Sequence, residues 1–168
     1  MTPILDANTL EFVSRNPTQT QRLGARLGAL LRGGDVLCLE GSLGAGKTCL
    51  AQGIGRGWGV SQTLVSPTFV LVREYTRPPD EATLYHIDLY RIANAEETLT
   101  LGIEEFLGAE HAICIIEWAE RARSLVPHEH MWVTLELVDE MRRSICFTGH
   151  GERHQALLRE FRQTAFGT

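Results

Sequence analysis

Apolar residues recur along this chain in two rhythms, one of strands and one of helices. Residues 36–40 (Val-Leu-Cys-Leu-Glu) and 113–117 (Ile-Cys-Ile-Ile-Glu) are short apolar runs closed by an acid, the pattern of strands buried on both faces. Over 84–90 the pattern alternates: Tyr85, Ile87 and Leu89 point one way, His86, Asp88 and Tyr90 the other. A strand is also expected through Val70, Leu71, Val72 and Tyr75, a short edge strand at 9–14, and an antiparallel pair at 132–138 and 144–148. Residues 139–142 (Asp-Glu-Met-Arg) join that pair.

The helical rhythm appears four times. Asn16 caps the first stretch, Pro17 opens it and Gln19 completes a capping box. Leu23, Leu27, Leu30 and Leu31 form its stripe, and Gly33-Gly34 ends it. Residues 48–58 form a second helix ended by Gly59, 95–107 a short pattern broken at Gly102, and 152–165 a tail helix with Leu157, Leu158 and Phe161 inward. Strands and helices interleave without repeats or low-complexity linkers. The 168 residues therefore predict a single α/β domain, 1–168.

Composition narrows the partners. The chain is 43% hydrophobic and 22% charged with net charge −5, which lacks the basic footprint of a stand-alone nucleic-acid binder. No apolar run approaches membrane-spanning length, and the first residues carry no secretion pattern, so a cytoplasmic protein is expected. Cys38, Cys49, Cys114 and Cys146 show no metal-ligand spacing and read as small apolar residues in a reducing compartment.

The candidate chemistry begins between the 36–40 strand and the 48–58 helix. Gly41-Ser42-Leu43-Gly44-Ala45-Gly46-Lys47-Thr48 fits a phosphate-cradling loop, whose backbone N–H groups and helix start hold an anion. Lys47 would reach the outer phosphates, and the Thr48 hydroxyl would ligate Mg²⁺. Of sixteen basic residues Lys47 is the only lysine, placed where a branched guanidinium would not fit. Glu117, delivered at a strand tip, is the candidate acid beside the metal; the plainer reading is a solvent-facing strand end. Asp88 would either meet Mg²⁺ through water or position the attacking water, unless it merely forms a turn. Ser66 and Thr68 flank Pro67 and would sense a γ-phosphate, or form an ordinary capped turn. His128 and His130 read as surface residues in a polar loop.

Four segments in this order resemble one family: 43–48 (Leu-Gly-Ala-Gly-Lys-Thr), 66–69 (Ser-Pro-Thr-Phe), 86–91 (His-Ile-Asp-Leu-Tyr-Arg) and 116–118 (Ile-Glu-Trp). Together they are similar to TsaE (YjeE), the bacterial ATPase of tRNA threonylcarbamoyladenosine biosynthesis, over about residues 16 to 148. The resemblance implies a P-loop NTPase-like three-layer α/β sandwich with a central mixed, mainly parallel sheet. It implies ATP and Mg²⁺ as cofactors and slow hydrolysis by the isolated protein. It also implies action with the TsaD–TsaB pair, which transfers the threonylcarbamoyl group to tRNA, so that tRNA is met indirectly. By motif matching, Thr48 and Glu117 fall on the magnesium ligands, Lys47 on the phosphate-binding lysine and Asp88 on the acid needed for activity, making Lys47, Asp88 and Glu117 the catalytic set. Residues 41–49 and Arg143 fall on the nucleotide, and Trp118 matches the tryptophan after the acid. Ser42, Cys49 and Leu50 depart from the commoner residues without removing essential chemistry.

Two rival classes remain at this stage. A small-molecule kinase would need an acceptor pocket and an arginine lid, for which Arg121 and Arg123 are available. A nucleotide-gated binding module would use ATP only to order a partner surface. A GTPase would use an Asn-Lys-x-Asp segment, and no second lysine exists to form one.

Overall fold

A computed structural model of the chain describes residues 6–67 and 71–167. One seven-stranded sheet runs through it in the order β1-β7-β6-β2-β5-β4-β3. Its strands are β1 (Thr9–Ser14), β2 (Val36–Glu40), β3 (Val72–Thr76), β4 (Thr83–Asp88), β5 (Ala112–Glu117), β6 (His130–Leu137) and β7 (Arg143–His150). β6, β2, β5 and β4 pair parallel, and only β7 and β3 run against the common direction. The sheet is therefore mixed and mainly parallel, as expected.

The apolar runs form the centre because both faces of the sheet are covered. On one face α1 (Pro17–Gly28), α2 (Lys47–Trp58) and α4 (Gly151–Phe166) bury Leu27, Ile54 and Phe161 against Leu37, Leu39, Ile113 and Ile115. On the other, 3-10 helices at Ile103–Phe106 and Ala119–Leu125 cover Val36, Cys38, Cys114 and Ile116, and α3 (Ala95–Thr100) packs against those two helices. Alternate residues of one strand thus enter two cores. These are the three layers. The tail helix packs into the first of these cores, and Arg153 at its start clamps the buried Asp35 just before β2 through two bonds, Nη2 to Oδ2 at 2.7 Å and Nε to Oδ1 at 3.0 Å.

α1 and α2 approach until their backbones touch. A Cβ built on Gly53 would lie 2.2 Å from the Gln21 carbonyl oxygen, and one on Gly28 2.2 Å from that of Ile54. Only glycine allows this seam, which fixes the helix after the phosphate loop against its neighbour.

Several boundaries differ from the sequence reading. α1 ends at Gly28, so Leu30 and Leu31 pack after its cap at Ala29 and Gly33-Gly34 do not stop it. Asn16 Oδ1 accepts from Gln19 N at 2.8 Å as expected, but Gln19 Oε1 turns back to Arg15 N, one residue before the cap. β3 starts at Val72, because Leu71 has φ 69° and breaks the extended run; Thr68, Phe69 and Val70 lie outside the described residues. β4 stops at Asp88, leaving Leu89 and Tyr90 beyond it. His130 is a half-buried residue of β6 and not of a surface loop, its ring stacked 4.4 Å from that of His150. All four cysteines are free thiols; Cys38 and Cys114 are buried, Cys49 and Cys146 only partly so. Among the described residues no helix is long and apolar enough to cross a membrane.

Candidate active site

β2 delivers the chain to the C-terminal edge of the sheet, where Gly41 to Gly46 turn it back into α2. Gly44 (φ 80°) and Gly46 (φ 101°) occupy the left-handed region that a side chain disfavours. α2 has no side-chain cap, so the N–H groups of its first turn are not satisfied in that way. Glycine-turned amides and an uncapped helix start together form an anion cradle.

Lys47 is held back inside this loop. Its Nζ donates to the carbonyl oxygens of Gly41 (2.5 Å) and Ser42 (2.9 Å) and lies 4.2 Å from the centroid of the Trp118 ring. Burial pulls the ammonium below its ordinary range, against the opposing pull of Glu117, Glu120 and Asp88. Trp118 reaches it from a left-handed backbone (φ 59°, ψ 37°), unusual for a bulky residue. Tyr90 packs on that indole at 5.0 Å, and Arg121 lies 5.3 Å from it while donating to the Ile92 carbonyl at 2.9 Å. Arg123 instead sits 4.0 Å over Trp132, near Glu40, so the two arginines do not converge on one lid.

The acids come from neighbouring parallel strands. Register pairs Glu117 with Leu39 on one side and with Asp88 on the other, so both carboxylates reach the same sheet edge. Glu117 Oε1 accepts from Thr48 Oγ1 at 2.9 Å, and its Oε2 lies 2.6 Å from His86 Nε2. Asp88 Oδ2 accepts from Ser66 Oγ at 2.9 Å, and Oδ1 from Tyr90 N at 2.9 Å. A cleft of about 290 Å³ opens between the loop and these tips, with Lys47, Thr48, Ser66, Asp88, Glu117 and Trp118 in its wall. Leu43 stands exposed at its rim, while Ala45 is buried beneath the turn.

Arg143, at the start of β7, lies on the loop's other side and donates from Nη2 to the Gly44 carbonyl at 3.3 Å. With Pro17, Cys49 and Met141 it lines a second cavity of about 250 Å³ beside the loop. Cys49 donates to the Pro17 carbonyl at 3.3 Å, and burial pushes its thiol up, so it stays protonated at neutral pH.

Oxygen chemistry at the cleft suits a hard cation. Thr48 Oγ1 and Glu117 Oε1, hydrogen-bonded at 2.9 Å, bring a hydroxyl and a carboxylate oxygen together at the cleft, the kind of oxygen donors that Mg²⁺ takes. Among the described residues no three His, Cys, Asp or Glu side chains converge as a metal set. The residues present therefore fit a Mg²⁺ completed by water and phosphate oxygens, and do not fit a cation held by protein alone.

His86 has no role legible from its own segment, although the row it forms with Asp88 is a visible sign. The missing fact was the β4–β5 register, which sets this row against Glu117.

A protein-family model described as threonylcarbamoyl adenosine biosynthesis protein TsaE matches residues 14–145. The chain belongs to the TsaE family. The relatives it is similar to include proteins named tRNA threonylcarbamoyladenosine biosynthesis protein TsaE. One, from Bacillus subtilis, is 34% identical over 151 residues, 90% of this chain and 92% of that protein. Another, from Treponema pallidum, is 38% identical over 136 residues, 81% of this chain and 98% of that protein. The crystal structure of Bacillus subtilis YdiB superposes with a TM-score of 0.78 at 30% identity, covering 94% of this chain and 96% of that one. The TsaE match runs from the end of β1 into β7 and spans the loop, Asp88, Glu117 and Arg143; α4 lies beyond it.

Proposed function

We propose that this TsaE-family protein is a cytoplasmic Mg²⁺-dependent ATPase that supports threonylcarbamoyl modification of the tRNA adenosine next to the anticodon, acting with the TsaD–TsaB complex. The observation that carries the ATPase reading is the 2.9 Å contact between Thr48 and Glu117, beside the cradle and Lys47. The printed names of the relatives support the pathway. Net charge −5 agrees with tRNA being held by other proteins.

In this reading the amides of residues 41–46 and the start of α2 hold the phosphates. Lys47 exchanges the Gly41 and Ser42 carbonyls for phosphate oxygens, trading neutral acceptors for charged ones. Thr48 and Glu117 hold Mg²⁺, whose chemistry is to neutralise charge developing on the phosphates. Asp88, set by Ser66 and by Tyr90 N–H, orients the attacking water. The cavity between Arg143, Met141, Cys49 and Pro17 takes the nucleoside end in this reading.

Calorimetry of ATP with Mg²⁺ and with EDTA tests the site, and a pull-down from bacterial lysate with and without ATP tests the partners. Absence of magnesium-dependent affinity would sink the ATPase reading. Failure to retain TsaD and TsaB in either condition would sink the partnership.

A further inference from the structure

His86 sits on β4 two residues before Asp88, and its ring is fully buried. Nε2 lies 2.6 Å from Glu117 Oε2, and since a carboxylate oxygen accepts, Nε2–H is the donor. Nδ1 is buried with no hydrogen-bond partner. An apolar ring would fill the same space without stranding a nitrogen, so packing alone does not account for a histidine here. The contact is also directional. Register pairs His86 with Ile115, and the imidazole reaches diagonally to the acid two residues further along β5. There it engages the oxygen of Glu117 that faces away from Thr48. Glu117 is itself 2% exposed, so without His86 that oxygen would be sealed from water and lack its donor.

We propose that His86 is a positioning residue: it holds one oxygen of Glu117 so that the other is presented to Thr48 and to the cation of a magnesium nucleotide. This rests on the reading of Glu117 as a magnesium ligand. A donor behind a metal-binding group fixes its orientation in advance, and loss of such a donor costs about 10- to 100-fold in metal affinity.

The test uses the full-length protein, a non-hydrolysable ATP analogue and calorimetry in Mg²⁺ and in EDTA. His86→Phe keeps the ring and removes the donor. It is expected to lower the magnesium-dependent gain in affinity about 10- to 100-fold while affinity in EDTA holds within about twofold. His86→Gln, whose amide N–H can reach Oε2, is expected to recover most of the gain. On a Glu117→Gln background His86→Phe should add nothing, because the effect acts through that acid. Should the Phe variant fail to melt cooperatively, His86→Met replaces it, and the same comparison with Gln holds.

A folded Phe or Met variant with the full magnesium gain, an equal loss in Mg²⁺ and EDTA, or a Gln variant no better than Phe would each overturn the proposal. No magnesium gain in the unchanged protein would overturn the proposed function and this inference together; a gain that survives loss of the donor overturns the inference alone.

Discussion

Lys47 Nζ lies 4.2 Å from the Trp118 ring centroid and is bonded to two carbonyls of its own loop, so the one lysine of the chain is parked against an aromatic face. Its displacement onto phosphate should replace two neutral acceptors with charged ones, each hydrogen bond to a charged group being worth about 1.5–3 kcal/mol. Lys47→Ala is expected to weaken ATP binding by about 100-fold or more and to abolish hydrolysis. Lys47→Arg should fail as well, because the guanidinium is too broad for the loop. Calorimetry decides; near-native affinity in either variant contradicts the assignment.

The paired oxygens of Thr48 and Glu117 make a separate prediction. Thr48→Ala and Glu117→Ala should cut magnesium-dependent ATP affinity by about 10-fold or more, with a smaller loss in EDTA. Equal losses with and without the cation would mean that neither residue belongs to the metal shell.

Asp88 separates hydrolysis from gating. With Ser66 and Tyr90 N–H as its partners, Asp88→Ala should leave ATP affinity within a few-fold and slow hydrolysis by about 10²–10⁴. If the variant still supports repeated turnover of the partner complex, ATP is an ordering ligand and its cleavage is incidental.

The α1–α2 seam predicts a stability change whose sign opposes helix propensity. Replacing the helical Gly53 with Ala would gain about 0.5–1 kcal/mol of propensity. Its Cβ, however, would meet the Gln21 carbonyl oxygen at 2.2 Å, and backbone cannot swing aside. Overpacking of this kind costs about 1–3 kcal/mol or more, so Gly53→Ala should lower the denaturation midpoint in urea. A stabilised variant would show that the seam is loose.

His154 ties stability to pH. Nε2 accepts from Val36 N at 3.4 Å, and burial holds the imidazole below its ordinary value of 6.5, with Arg153 acting in the same direction and Asp35 and Glu129 opposing. The unfolded chain therefore takes up this proton first as pH falls. Stability is full above pH 6.5, declines below it by at most about 1.4 kcal/mol per pH unit, and levels once the folded protein is protonated too. His130, lowered chiefly by burial, acts in the same direction. Melting temperature should fall from pH 7.5 to 5.5, and His154→Gln should flatten the slope; an unchanged slope would clear His154 of the effect.

What the sequence shows and what it hides divide along physical lines. β2 and β5 were legible because strands covered on both faces must be apolar throughout, and the loop because phosphate chemistry needs those residues at that spacing. Strand order was not legible, since pairing is decided in space. For the same reason His86 went unassigned: its partner is 31 positions away and meets it only through β4–β5 register. Leu30 and Leu31 continued the apolar stripe of α1 yet follow its end, because burial rewards a leucine equally in a helix or in the turn after it. The left-handed Trp118 had no local sign at all; a bulky residue adopts it only when its surroundings impose it.

That last torsion decides where the tip of β5 sends its indole. Leu89 N–H holds the Glu117 carbonyl at 3.0 Å, so the chain is bonded in place one residue before the left-handed turn. A left-handed backbone costs about 1–2 kcal/mol, and contact with a cation returns about 0.5–2 kcal/mol. The two are of the same order, so the Lys47 contact is one of several that hold this backbone in place. The face that Trp118 turns to the ammonium is thus set by the backbone at the strand tip and by the Tyr90 and Arg121 side chains around it, not by the cation alone.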